Sequence, residues 1–270
     1  MDFDFSQIAV PFRMQPGLRR LEPGAAQLTP LDPMGALFRE KRQVLKAGQS
    51  RHCVSGFDPS PAMNAIAAKA AIDGIEGLGA GAAAGWPLEL TFEEDFAVLD
   101  GATTALPWLC VCVPSHWAPE DKLGLSFAAV HAPVADNAAL RSASAQLVQL
   151  VTGGACWERF VWTVSPSQRH DQHPRRHDRT PWPDTQDPQQ FAAQCFLRAE
   201  RQTFFPVGQG TRQAVFTIRV MLQPLAESVS GVGQALRLRD SLASMSAAVL
   251  AYKGLTAARQ RLVEWLEGRA

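Results

Sequence analysis

The sequence predicts an α+β fold: an antiparallel β-sheet flanked by helices. Three observations predict it. Short β-branched and aromatic runs fall into two groups, one from Leu88 to Val113 and one from Trp157 to Leu222. A helical stretch separates the groups, and helix-prone segments bracket the whole.

Each element follows from local pattern. Residues 1–50 are proline-rich and read as a wrapping arm, ending in a short helix near Gly35 to Ala47 with basic residues in its last turns. Pro61 to Asp73 is alanine-rich and helix-prone, and the glycines of Gly74 to Gly85 break that pattern. From Leu88, LELTF, FAVLD and LPWLCVCV read as strands joined by acidic and Gly-Ala-Thr-Thr turn material, as in antiparallel hairpins. PSHWAPEDKLG is a loop by its prolines and charges. SFAAVHAPV is an apolar run ending at Pro133, which leaves His131 at an element boundary.

Asp136 or Asn137 can N-cap a helix carrying Leu140, Leu147, Leu150 and Val151, until Gly153-Gly154 stops it. WERFVWTV is strand-like, and SPSQRHDQHPRRHDRTPWPDTQDP is a long polar loop of the kind that is often functional or mobile. CFLRAERQTFF and RQAVFTIRVML flank PVGQGT as a hairpin and give the strongest β signal. Gln234 to Leu250 and Leu255 to Leu266 read as amphipathic helices. The organisation expected is an N-terminal arm with helices (1–85), a core (86–225) and C-terminal helices (226–270), packed together as one domain.

Composition narrows the function classes. With 46% hydrophobic and 19% charged residues the chain is expected to fold throughout. Its 26 basic and 26 acidic residues cancel, so no global field favours nucleic acid or an anionic membrane. His170 to Arg179 is a local basic exception, read first as a solvated loop. The opening MDFDFSQIAVPF is acidic where a secretory signal is basic, and the low-charge stretch Ile75 to Leu90 is broken by glycines and Pro87, so a cytoplasmic protein without a membrane span is expected. Five cysteines, an odd number, fit reduced thiols; Cys110 and Cys112 read as small buried hydrophobes on one strand face.

Six segments carry more than composition can: EEDFAVLD, VPSHWAPEDKLG, AAVHAPV, LRAERQTFF, AVFTIRVMLQPL and AYKGL. In their order and separations, from about Gly17 to Leu255, the chain resembles the haem-dependent oxidative N-demethylase (dimethylamine monooxygenase) family. The resemblance implies a PAS-like antiparallel sheet holding one b-type haem. It implies a subunit that uses dioxygen to remove a methyl group from a secondary amine such as dimethylamine. It also implies electrons from NAD(P)H through separate flavin and iron-sulfur partner proteins. This chain has neither a GxGxxG unit after a strand nor a ferredoxin cysteine series, which agrees with an external reductase. It departs from the family in having Val161 where Trp-x-Arg-x-Asn-Trp carries an amide, and Val220 and Met221 where a polar residue follows FTIR. Those departures keep a second reading open, a non-catalytic haem or small-ligand sensor module on the same fold.

Candidate site residues divide by chemistry. No CxxCH occurs, so covalent haem attachment is excluded and an imidazole is the expected axial donor. Taken alone, His131 reads as a hydrogen-bonded core histidine; the resemblance adds the reading of iron ligand. His170, His173 and His177 lack the helical continuity and the glutamate of a zinc motif, with Pro174 between them. Alternation along LRAERQT puts Arg198 and Glu200 on one strand face and Arg201 on the other. These residues read either as a cross-strand ion-pair ladder with Arg219 or as a polar cavity wall. In the second reading Arg198 and Arg219 are candidates for haem carboxylates. Glu200 and Arg201 are then the catalytic pair, with Glu200 as base or counter-ion to an ammonium. Trp162, with Trp157 and Phe216, is a candidate to line an apolar slot, against the alternative of ordinary core. For docking an acidic ferredoxin-like partner, the basic loop with Arg175, Arg176 and Arg179 is the candidate surface.

Overall fold

In the computed structural model, which describes residues 3–75 and 86–270, alternating apolar runs form a seven-stranded antiparallel sheet. Its strands are β1 (Arg19–Arg20), β2 (Arg51–Cys53), β3 (Glu94–Asp100), β4 (Trp108–Cys110), β5 (Trp157–Ser165), β6 (Phe196–Pro206) and β7 (Gln213–Pro224). Their spatial order is β1-β5-β6-β7-β3-β4-β2. The long hairpin β6–β7 turns at Gly208 and Gly210, both at positive φ, where a side chain would be strained.

The helices follow the sequence closely at α1 (Ala36–Lys46) and α2 (Ser60–Ile72). Gly74, at φ +75°, closes α2; the rest of the expected glycine-rich break, residues 76–85, lies outside the described residues. Between the strand groups come α4 (Phe127–Val130), α5 (Ala138–Ser142) and α6 (Ser144–Val151), so the helix expected after Asn137 is two pieces divided at Ala143. After the long loop come α7 (Pro188–Ala192), α8 (Leu225–Ser228), α9 (Val232–Ala243), α10 (Ala247–Tyr252) and α11 (Arg259–Glu267). The helix expected over Gln234 to Leu250 breaks because the Ser246 side chain caps a new N-terminus at Val249 N–H.

Two strand expectations are corrected. LELT is a helical turn, α3 (Leu88–Thr91): extended Pro87 caps it, and the turn carries Glu89 inward to Ser50 Oγ (2.7 Å) and Arg51 Nε (2.7 Å). A five-residue apolar alternation cannot tell these states apart. LPWLCVCV pairs only over β4: beyond it the Val111 amide donates to the Ser50 carbonyl (2.7 Å), and the Cys112 and Val113 amides turn to Asp95 Oδ2 (3.0 and 2.8 Å) in place of a strand partner. Cys110 and Cys112 are both buried, and burial pushes both thiols well above their ordinary range.

Register assigns every strand side chain to a face. Directly opposed residues share a face, so Trp157, Arg159, Val161 and Thr163 lie with Phe204, Gln202, Glu200 and Arg198, and these with Phe216, Ile218, Val220 and Leu222. The other face carries Glu158, Phe160, Trp162, Thr203, Arg201, Ala199, Thr217, Arg219 and Met221. The second face is closed by a core of Trp162, Val164, Leu197, Ala199 and Met221 against the C-terminal helices and the arm residues Phe3, Phe5 and Ile8. Ala62, Ile66 and Ala70 of α2 complete it over β3 and β4. The first face is covered at one end by Phe127, Val148 and Val151 and at the other by Leu37, Phe38 and Val44 of α1. Between these ends Arg159, Val161, Glu200 and Gln202 remain half-buried. No described helix is long and apolar enough to cross a membrane.

Candidate functional site

The half-open middle of the first face gathers the ionisable groups whose bonding is incomplete. Arg159 projects from β5; its Nε is buried and makes no hydrogen bond, and burial lowers its pKa against the pull of Glu200. Two residues away on the same face, the buried Trp157 Nε1 also lacks an acceptor. An unpaired buried donor costs about 1–3 kcal/mol, so two side by side mark a place built for an acceptor.

His131 closes α4 at its C-terminal end, where the sequence puts an element boundary. Its Nδ1 donates to the Phe127 carbonyl at 2.7 Å and its ring lies 4.2 Å from that of Phe127. The bond fixes the proton on Nδ1 and leaves the Nε2 lone pair free. Burial, joined by the charges of Arg159 and Lys122, holds the imidazole below its ordinary pKa and outweighs the Phe127 carbonyl, so it is neutral near pH 7.

Glu200 stands at the centre of this face, its Oε1 accepting from the Ser115 hydroxyl and its Oε2 from Gln202 Nε2 at 2.7 Å. Arg198, on the same face, is buried, and the Ser115 hydroxyl and the carbonyls of Val113, Arg169 and His170 take its N–H groups. From the free side of β5, Lys253 donates to the Trp162 carbonyl (2.7 Å) and lies over the rings of Phe12 and Trp162. Burial brings Lys253 down to about 8. Arg159, Arg198 and Lys253 are all close enough to Glu200 to feel its charge.

The expected site residues do not all meet here. His131, Arg198 and Glu200 belong to this face, but Arg201, Arg219 and Trp162 point to the other. Arg201 pairs with Glu158 (3.0 Å), Arg219 with Glu93 (2.6 Å), and Trp162 packs in the closed core. The expectation of one polar wall made of Glu200, Arg201 and Arg219 is therefore corrected: neighbours in a strand face opposite ways. The ion-pair reading holds in part: Arg201 pairs across the strands with Glu158 and Arg219 with Glu93, while Glu200 takes neither arginine and Arg198 has no carboxylate of its own. Trp157 and Phe216, read from sequence as candidate apolar lining, do lie on this face. Arg159, Ser115, Gln202 and Lys253 are not singled out from sequence, although WERFVW, VPSHWAPEDKLG and AYKGL contain most of them.

Most of the basic loop is tied down, with Arg179 left exposed. His170 meets Glu40 (3.0 Å), His173 meets Glu120 (3.1 Å) and His177 meets Asp171 (3.1 Å), so each imidazole has a different carboxylate. Arg176 is bound by Asp171 and the Cys112 carbonyl, and Arg175 by Glu120 and Asp121. No group of three or more possible metal ligands occurs among the described residues. A partly open pocket beside His116 has a volume of about 10 Å³, room for one water, and is lined by none of the residues around His131.

The donor set of the half-open face suits the haem expected from the resemblance. A neutral imidazole with a free Nε2 suits an iron, and unpaired N–H donors beside surplus positive charge suit its carboxylates. Residues 87–263 of the 270 match a family described as haem-dependent oxidative N-demethylase, alpha subunit-like.

Proposed function

Because the chain belongs to the haem-dependent oxidative N-demethylase alpha subunit-like family, we propose that it oxidatively removes a methyl group from a small secondary amine such as dimethylamine. The observation that carries this reading is the pairing, on one sheet face, of a tautomer-fixed His131 with the unpartnered donors of Arg159 and Trp157. His131 would hold the iron through Nε2, and Arg159 would take a haem carboxylate, with Arg198 and Lys253 adding positive charge. Bound haem b supplies the capacity to activate dioxygen when two electrons arrive from outside.

The chain's own groups then have separate tasks. Glu200 receives the ammonium of the substrate, since its two oxygens are fixed by Ser115 and Gln202 and each keeps a lone pair. Phe127, Trp157, Val161 and Phe216 provide apolar cover that excludes water. Dioxygen, two electrons and two protons convert the N-methyl group to a hemiaminal and water, and the hemiaminal releases formaldehyde. The electrons come from NAD(P)H through flavin and iron-sulfur partner proteins, because the sequence carries no nucleotide-binding fingerprint or cluster motif of its own. The inner strands support the PAS-like description: taken in chain order from β3 to β7 as first to fifth, they lie second, first, fifth, fourth, third.

One observation favours a second reading, a non-catalytic haem or small-ligand sensor: Val161 stands directly opposite Glu200, where the family pattern has an amide. A Soret band in the purified protein, altered or lost in His131→Ala, is the expected result, together with amine-dependent formaldehyde release once a reductase is supplied. An unchanged axial-ligand spectrum in His131→Ala overturns the ligand assignment. A Soret band without formaldehyde favours the sensor.

A further inference from the structure

We propose that Ser115 is a positioning residue for Glu200, the hub through which Arg198 and the histidine-arginine loop hold that carboxylate in place. The inference rests on the reading that Glu200 receives the amine. The Ser115 oxygen accepts from Arg198 Nε at 2.8 Å, and its one proton goes to Glu200 Oε1. Arg198 can only donate to this oxygen, so it occupies a lone pair and leaves the hydroxyl proton for Glu200, the acceptor it meets. The positive charge of Arg198 is thereby passed to Glu200 without direct contact between the two side chains.

Arg198 is itself immovable. Its remaining donors meet the carbonyls of Arg169 (3.2 Å) and His170 (2.9 Å) in the loop and of Val113 (3.3 Å) just before Ser115. The loop is in turn anchored by Glu40, which takes the backbone amides of His170 and Asp171 as well as the His170 ring. The segment around Ser115 is stitched to the same loop: Gln172 N–H donates to the Pro114 carbonyl and His116 N–H to the Gln172 carbonyl.

A second observation comes from the backbone. His116 adopts φ +59°, a conformation that non-glycine residues rarely take, and it does so directly after Ser115. Backbone strain of this kind persists where the surroundings over-determine a position. The His116 side chain is exposed at the surface, where partial desolvation and the charges of Arg179 and Arg198 bring it down to about 4, so it is neutral and no competitor for Glu200. The loop expected from sequence to meet a partner thus has an internal task, to present the back of Glu200 with one correctly aimed proton.

The test uses haem-loaded protein and reads dimethylammonium binding from the amine-induced shift of the Soret band. Glu200→Gln should abolish the shift. Ser115→Ala should weaken binding by roughly tenfold or more, since a charge-assisted hydrogen bond is lost. Ser115→Thr, which keeps the hydroxyl, should restore most of it with a parent-like Tm, whereas Ser115→Ala lowers Tm by leaving Arg198 Nε unpaired; the amine-free spectrum is unchanged in both. If Glu200→Gln binds amine like the parent, the reading of Glu200 fails and the positioning role falls with it. If Glu200→Gln loses binding while Ser115→Ala keeps it, the positioning role alone is overturned. Should Ser115→Ala not fold, Ser115→Cys makes the same comparison with a weaker donor, and parent-like binding in that variant overturns the proposal.

Discussion

The two faces of the sheet treat charge differently. On the closed face Glu158 receives both Arg19 (2.8 Å) and Arg201 (3.0 Å), and Arg219 has Glu93. On the half-open face Arg159 has a buried Nε without an acceptor, and Arg198 is held by a hydroxyl and carbonyls without a carboxylate of its own. Both faces are built by the same three strands, so strand chemistry does not explain the contrast. A paired arginine stabilises the fold, whereas an arginine held ready and left unpaired reduces stability in return for a ligand.

The sharpest way to break the comparison is to unpair the closed face. Glu158→Ala strands Arg201 and Arg19 together; the Glu158 side chain is only 8% exposed but Arg19 is half exposed, so the loss should reach about 3 kcal/mol in urea unfolding. A loss below about 1 kcal/mol would show that these pairs stabilise no more than exposed ones do.

A smaller effect comes from Glu94, also on the closed face, which burial raises from 4.5 to about 7 and whose Oε1 has no partner. Its folded pKa lies above the unfolded one, so its contribution is fully present below pH 4.5 and is lost as pH rises through 7. Glu94→Gln should remove that slope, leaving the variant about 2 kcal/mol less pH-sensitive between pH 5 and pH 8. Thermal melts across that range check it, and parallel pH curves for parent and variant would contradict it.

Sequence reading carried the fold further than the site, for a physical reason. β5, β6 and β7 were legible because alternation and the PVGQGT turn are local signals, and the same alternation separated Glu200 from Arg201. His131 was legible as a boundary residue. Register between β5 and β6 was not, since it is set by tertiary packing, and it alone brings Val161 opposite Glu200 and Arg159 opposite Gln202. For the same reason Trp162 could not be assigned to the closed face from spacing. The charge of the loop from His170 to Arg179 was read correctly as a local excess, but its partners Glu40, Glu120 and Asp121 come from distant segments that only folding unites.

The central claim, that the half-open face is the one that holds the cofactor, is tested most directly by titrating haem into the Arg159→Leu and Arg201→Leu proteins. Arg159→Leu should weaken haem binding at least about tenfold while Tm of the haem-free protein stays level or rises, because a buried, unpaired Nε–H has been removed. Arg201→Leu should lower Tm and leave haem affinity unchanged. Parent-like haem binding in Arg159→Leu, with the loss appearing in Arg201→Leu, would place the cofactor on the opposite face and contradict the account.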